Sequence, residues 1–208
     1  MHITTAPGLT CVLSRTRTEP RSQAQAVDAW IASSRAWPDL AGFVAGALLR
    51  SLDGERVVAY LQGTPPPTAG EVAVADAMDA HTYEVVRLEA PPNVHPAPLV
   101  IVPGGDLTTL INIFDTDRSR QQQLVDTWIT VGAPFTQYPG FLAAALHRSL
   151  DGTRVVNYAH WRSAADWQAL VAQRGHEFAR FRPLGRSDPH LYEVVHLVEG
   201  ARGAPHPA

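Results

Sequence analysis

Asn157 and Trp161, four residues apart, are the side chains whose types and spacing best suit chemistry. They sit in the run Arg154 to Trp161, which reads as a β-strand. Successive strand residues point to opposite faces, so these two odd positions share one face. An amide offers N–H donors, and indole offers one N–H and no acceptor. Neutral donors converging in an apolar slot suit a carbonyl oxygen that becomes an enolate or phenolate. Taken singly, each also fits a plain structural role, the asparagine bonded to a neighbour and the strand-end tryptophan packed in the core.

The imidazoles come next. His147 and His160 fall on strands expected to pair, and His176 follows in a helix or loop. No carboxylate stands at a helical spacing that would complete a ligand set, and neither HxH nor HExxH occurs, so no metal is expected. His147 and His160 are expected to contact a bound substrate instead, as is His176, which fits either a proton acceptor or a solvated surface group. The single cysteine, Cys11, leaves no internal disulfide framework and reads as core filler.

What must position these side chains is a repeated unit. Phe43 to Tyr60 and Phe141 to Tyr158 agree at 13 of 18 positions without a gap, at an offset of 98. Trp30 and Trp128 obey the same offset. Farther on, His81, Tyr83 to Val86 and Leu88 match His190, Tyr192 to Val195 and Leu197 at an offset of 109, so the first copy lacks 11 residues ahead of its last strand. Self-similarity of this kind means duplication.

Each copy reads β-α-β-β-α-β. In the second, 107–114 alternates as a strand, Asp115-Thr116-Asp117 supplies cap chemistry, and Leu124, Trp128 and Val131 recur at helical spacing. A hairpin follows, 141–148 and 154–161 around Asp151-Gly152. Ser163 caps a helix carrying Trp167, Leu170 and Val171, and 190–198 closes the unit. Such a unit is a ferredoxin-like, four-stranded antiparallel sheet with both helices on one face. Its other face is also apolar, so the two sheets are expected to pack face to face within one α+β chain. The implied boundaries are a first repeat at 1–90, a linker at 91–106 holding a short strand near Leu99 to Val102, a second repeat at 107–200 and a tail at 201–208.

The first copy is an internal control. Asn157 is replaced there by Ala59, His160 by Gln62 and Trp161 by Gly63, and Pro65-Pro66-Pro67 stands where the second copy starts its helix. Scaffold positions persist: Arg50 and Arg148, Asp53 and Asp151, Tyr60 and Tyr158. Donors needed only by the scaffold should occur in both halves. Their presence in one half points to a pocket there and a supporting role for the other.

Composition narrows the classes of partner. The net charge of −3, with 17 arginines and no lysine in 208 residues, advertises no basic face, so nucleic acid is not expected. No apolar run approaches the ~18 residues of a membrane span, and the first 30 residues lack a signal-peptide pattern, so a cytoplasmic location is expected.

The stretch from Gly140 to Trp167 resembles the antibiotic biosynthesis monooxygenase family, above all its members that oxidise anthrones and phenols of aromatic polyketide pathways. The motif HxSxDGTxVVNYAxWxS is met by His147, Ser149, Asp151 to Thr153, Val155 to Ala159, Trp161 and Ser163. The resemblance implies a dimeric α+β barrel, here fused within one chain, and a cofactor-independent enzyme using O2 on a small aromatic substrate. It carries the family's pocket asparagine and tryptophan to Asn157 and Trp161 as catalytic residues. The family's pocket tyrosine is Trp167 here, and its arginine falls near Arg180 and Arg182, which flank Phe181; these three are implied to bind substrate. Another branch of the fold degrades haem, with a residue order unlike Asn157, Trp161 and His176, so haem is not expected. A cyclase acting by the same enolate stabilisation and a non-catalytic binding protein remain alternatives. Further self-association is compatible with the sequence.

Overall fold

Over the described residues, the two copies of the repeat share one element order. The computed structural model describes residues 1–64, 79–92, 94 and 99–200. The second helix expected in the first repeat, with Pro65 to Pro67, lies outside these residues, as does the tail at 201–208. The first repeat contributes β2 (Thr10–Arg17), α1 (Gln23–Ser34), β3 (Phe43–Ser51), β4 (Arg56–Gly63) and β5 (Asp79–Glu89). The second contributes β7 (Thr108–Asp115), α2 (Gln121–Gly132), β8 (Phe141–Ser149), β9 (Arg154–Trp161), α3 (Ala164–Arg174) and β10 (Arg186–Glu199). Two short strands, β1 (His2–Ile3) and β6 (Leu99–Val100), pair with each other. No helix among the described residues is long and apolar enough to cross a membrane.

The sheets do not simply stack. They curl into one closed, antiparallel eight-stranded barrel in the order β10-β3-β4-β2-β5-β8-β9-β7, which leaves it without free edges. The last strand of each repeat makes both seams. β5 pairs first with β2 of its own repeat (Arg15 opposite Asp79) and then with β8 of the other (Glu89 opposite Ala144). β10 does the converse, from Asp115 opposite Arg186 to Gly46 opposite Val198. Each is bulged at the crossing, at Val86 and at Val195. A bulge inserts one residue and so resets the period-2 alternation. Tyr83, Val85 and then Leu88 therefore pack in the barrel interior, while Val86 packs on the helix side.

Three apolar layers result. The barrel interior is shared, with Leu13, Val58 and Tyr60 meeting Ile111, Val156 and Tyr158. Outside it, Trp30 of α1 packs on β4, and Leu124 and Trp128 of α2 with Leu170 of α3 pack on β7 to β9. The first residue of each leading helix anchors it to its hairpin. Gln23 Nε2 donates to the Ser51 and Arg56 carbonyls (2.9 and 3.0 Å), and Gln121 Nε2 to those of Ser149 and Arg154 (both 2.9 Å). Cys11 is buried, and burial pushes its thiol up to about 12.

Two local expectations change. Helix α2 starts at Gln121, beyond Asp115 to Asp117, because Asp117 forms a turn whose carbonyl accepts from Arg120 N and Gln121 N (both 3.0 Å). On α3, Ser163 does cap, accepting from Asp166 N at 3.2 Å, but Val171 stays 39% exposed while Leu170 is buried.

Candidate active site

Alternation along β9 divides its side chains between two compartments. Val155, Asn157, Ala159 and Trp161 face the helices, and Val156, Tyr158 and His160 face the barrel interior. On the helix side lies a cavity of about 550 Å³, a volume within the range of small-molecule sites. Its floor is Leu110 and Asn112 of β7, Ala144 of β8, and Asn157, Ala159 and Trp161 of β9. Its roof is Trp128, Trp167, Leu170 and two aromatics of the 3-10 segments that follow α2 and α3, Phe135 and Phe178. Arg182, Arg186 and Ser187 stand at one end.

The aromatics touch one another in series. Trp161 meets Phe141 and Trp167 edge-on, both at 5.5 Å between ring centres, and Trp167 stacks on Phe178 at 6.0 Å and 18°. Such walls favour a flat, apolar ligand. Into this surface come neutral polar groups. Trp161 is 2% exposed and its Nε1 has no acceptor among the described residues; Asn157 Oδ1 likewise has no partner. A buried donor or acceptor left unmet typically costs ~1–3 kcal/mol; here the indole N–H is an unmet donor and the Asn157 amide oxygen an unmet acceptor, both buried in the cavity floor. Asn112 lies directly across from Asn157 in the strand register and accepts from Ser187 Oγ at 2.9 Å.

Of the eight residues singled out in the sequence, four come together here: Asn157, Trp161, Trp167 and Arg182. Four do not. His147 is buried in the barrel interior, 3.0 Å from the Tyr60 hydroxyl through Nε2, and burial lowers its pKa to about 4. His160 is on the same side, packed on Tyr158 at 5.4 Å, and desolvation likewise lowers it to about 4. Their parity on the paired strands turns them away from the cavity. His176 is exposed outside it, and Arg180 lines a separate groove with Asp126 and Thr130 of α2. Among the cavity residues that the sequence reading did not single out are two strand residues with polar side chains, Asn112 and Glu89. Asn112 was within reach of the alternation along β7 that pairs it with Asn157. Glu89 was not, because it belongs to the other repeat.

Among the described residues of the first repeat, the equivalent space is filled. Trp37, the counterpart of Phe135, is 1% exposed and sits over Gly46, the counterpart of Ala144. A Cβ on Gly46 would lie 2.8 Å from the Trp37 ring. With Ala59 and Gly63 where the second repeat has Asn157 and Trp161, the indole fills what is cavity in the other half.

The other polar concentration lies at the hairpin turns, where each seam is locked by an Asp-His-Asp chain. His81 bonds Asp151 (Nδ1, 2.6 Å) and Asp79 (Nε2, 2.8 Å); His190 bonds Asp53 (Nδ1, 2.6 Å) and Asp188 (Nε2, 3.1 Å). Arg15, which has no counterpart in the second repeat, bridges Asp79 and Asp188. Asp53, Glu55 and His190 approach as a three-ligand cluster, but both ring nitrogens of His190 already have carboxylate partners.

A closed barrel of two fused α+β units, with an aromatic cavity on one sheet's outer face, defines the class. The sequence model for antibiotic biosynthesis monooxygenase matches residues 108–181. Tetracenomycin-F1 monooxygenase of Streptomyces glaucescens is 39% identical over 99 residues, covering 46% of this chain and 88% of that protein. The crystal structure of an anthrone oxidase-like protein superposes with a TM-score of 0.77 over 99% of both chains at 17% identity. A Listeria monocytogenes ferredoxin-fold protein related to antibiotic biosynthesis monooxygenases gives 0.51 at 10% identity, over 91% of this chain and 96% of that one. The chain belongs to the antibiotic biosynthesis monooxygenase family and is an enzyme of the monooxygenase class.

Proposed function

We propose that the second-repeat cavity oxidises a polycyclic phenol or anthrone to a quinone with O2, using no flavin or metal. The observation that carries this is the Trp161 Nε1–H, unpartnered in an aromatic slot beside Asn157. Neutral donors at a carbonyl oxygen stabilise the charge that develops there when the ring methylene conjugated with it, across the central ring, loses a proton. The resulting anion is electron-rich enough to pass one electron to dioxygen. Radical recombination forms a carbon–oxygen bond, giving a peroxide that loses water. The balance is CH2 + O2 → C=O + H2O, with the substrate as sole reductant. Asn157 and Trp161 steady the oxyanion, Trp128, Trp167 and Phe178 hold the rings flat, and the aromatic roof limits the access of bulk water to the anion. That tetracenomycin-F1 monooxygenase is among the relatives supports an aromatic polyketide as substrate class.

The test is oxygen uptake with an anthrone panel in chelator-treated, flavin-free buffer. One O2 consumed per quinone formed is the expected result. Uptake that needs added flavin or metal, or none above the non-enzymatic rate, overturns the reading.

A further inference from the structure

We infer that Glu89, supplied by the first repeat, is the base that takes the substrate proton in the cavity of the second. This rests on the oxidation proposed above and adds the proton acceptor that it leaves unnamed. Among the described residues lining the cavity, the ionisable side chains are Glu89, Arg182 and Arg186. Guanidinium groups stay protonated and cannot accept. The three candidate histidines of the second repeat face elsewhere. Glu89 is left.

Its position follows from the topology. β5 crosses the seam to pair with β8, and the bulge at Val86 turns Leu88 into the barrel and Glu89 out to the helix side. Its side chain is 13% exposed and accepts from Arg87 Nε at 2.8 Å, its one ionic contact among the described residues. It stands opposite Ala144, which stands opposite Ala159. The two residues in that row between Glu89 and the far side of β9 are alanines, the smallest side chains of the floor, and Glu89, Asn157 and Trp161 line the same cavity.

The duplication supplies the contrast. By the offset of 109, the counterpart of Glu89 is Val198, which crosses the other seam, stands opposite Gly46 and packs beneath the filled first-repeat layer. A carboxylate occurs at this crossing where there is a cavity, and a valine where there is a tryptophan plug. The degenerate repeat thus contributes to the reaction as well as to the scaffold. The step is a proton transfer: the ring C–H bond breaks, its electron pair stays on the substrate as enolate, and the proton moves to a Glu89 carboxylate oxygen. Water later removes that proton.

Two measurements test it on the full chain with 1,8-dihydroxyanthrone as probe. The first, without O2, follows deuterium incorporation from D2O at the ring methylene by mass spectrometry. The second is O2 uptake. Wild-type protein should accelerate exchange, and Glu89→Gln, which keeps shape and the Arg87 contact, should slow both exchange and kcat by on the order of 10²-fold with KM little changed. It should also lose the low-pH limb of the kcat profile. Glu89→Val, which copies the natural residue of the other seam, should behave alike and guards against a folding artefact. Exchange catalysed without oxygen uptake supports the base while sinking the oxidation. Oxygen uptake with exchange and kcat undiminished in Glu89→Gln overturns the base and leaves the oxidation standing. A wild-type protein that accelerates neither overturns both.

Discussion

Trp37 closes over Gly46 in the first repeat, at a distance that leaves no room for a single Cβ. The same two positions in the second repeat are Phe135 and Ala144, and there the space stays open. A glycine and an indole have thus been exchanged together against an alanine and a phenyl ring.

That coupling is measurable. Gly46→Ala forces its methyl against a tryptophan fixed on all sides, and overpacking of this kind costs about 1–3 kcal/mol. Adding Trp37→Phe removes the obstructing ring and recreates the pair of the second repeat. The double variant is therefore expected to be more stable than the sum of the two single losses. A double-mutant cycle by denaturant unfolding reads the coupling; additivity within experimental error refutes it.

Trp161→Phe separates function from packing. Phenyl keeps edge contacts to Phe141 and Trp167 but removes the unpartnered N–H. kcat for anthrone oxidation should fall roughly tenfold or more, which corresponds to ~1.4 kcal/mol of transition-state stabilisation. Thermal stability should hold or rise, since a buried unmet donor is gone. Ala59→Gly, at the first-repeat counterpart of Asn157, should leave kcat unchanged. Steady-state kinetics with a melting curve on each variant decide, and an unchanged kcat in Trp161→Phe rejects the indole as donor.

How much of this was legible depended on locality. The duplication, both hairpins, the Ser163 cap and the shared face of Asn157 and Trp161 follow from patterns within one segment. Parity also held the information that His160 points away from Trp161, since 160 and 161 are neighbours on one strand. His147 needed the hairpin register, in which Leu146 faces Asn157, to be assigned to the interior. Glu89 was out of reach, because a bulge reverses the alternation at Val86 and the strand then leaves its own sheet. Nor does a sequence announce that Trp37 fills a space, since filling depends on the volume the other walls leave.

Arg180 and Arg182 form a natural control. Two residues apart and both exposed, one faces the groove beside α2 and the other the cavity end. Loss of an exposed, ligand-directed guanidinium is worth up to about 1 kcal/mol, so Arg182→Met should raise KM roughly fivefold. Arg180→Met should leave KM within experimental error of wild type. Equal effects on KM would show that the 3-10 segment positions the site as a unit instead.

Stability should pass through a maximum near the ordinary histidine pKa, because two pairs of histidines pull in opposite directions. His81 and His190 are raised, chiefly by their bonds to Asp79 and Asp188. A raised base contributes stability that is complete below its unfolded pKa of about 6.5 and is lost as pH climbs through the folded value. His147 and His160 are lowered to about 4 by burial. A lowered base contributes stability that is complete above about 6.5 and is lost as pH falls toward the folded value, at roughly 1.4 kcal/mol per pH unit for each ring. Asp79 and Asp188, held below the usual carboxylate range first by those same histidines, steepen the loss only under about pH 4. Denaturant unfolding between pH 4.5 and 6 should therefore show a slope near twice the single-group value. His160→Phe, which keeps an aromatic ring against Tyr158, should halve that acid slope and leave the alkaline side unchanged. His81→Gln should do the reverse, flattening the decline above pH 7 alone. An acid slope that survives His160→Phe intact would mean that this imidazole reaches water and titrates normally.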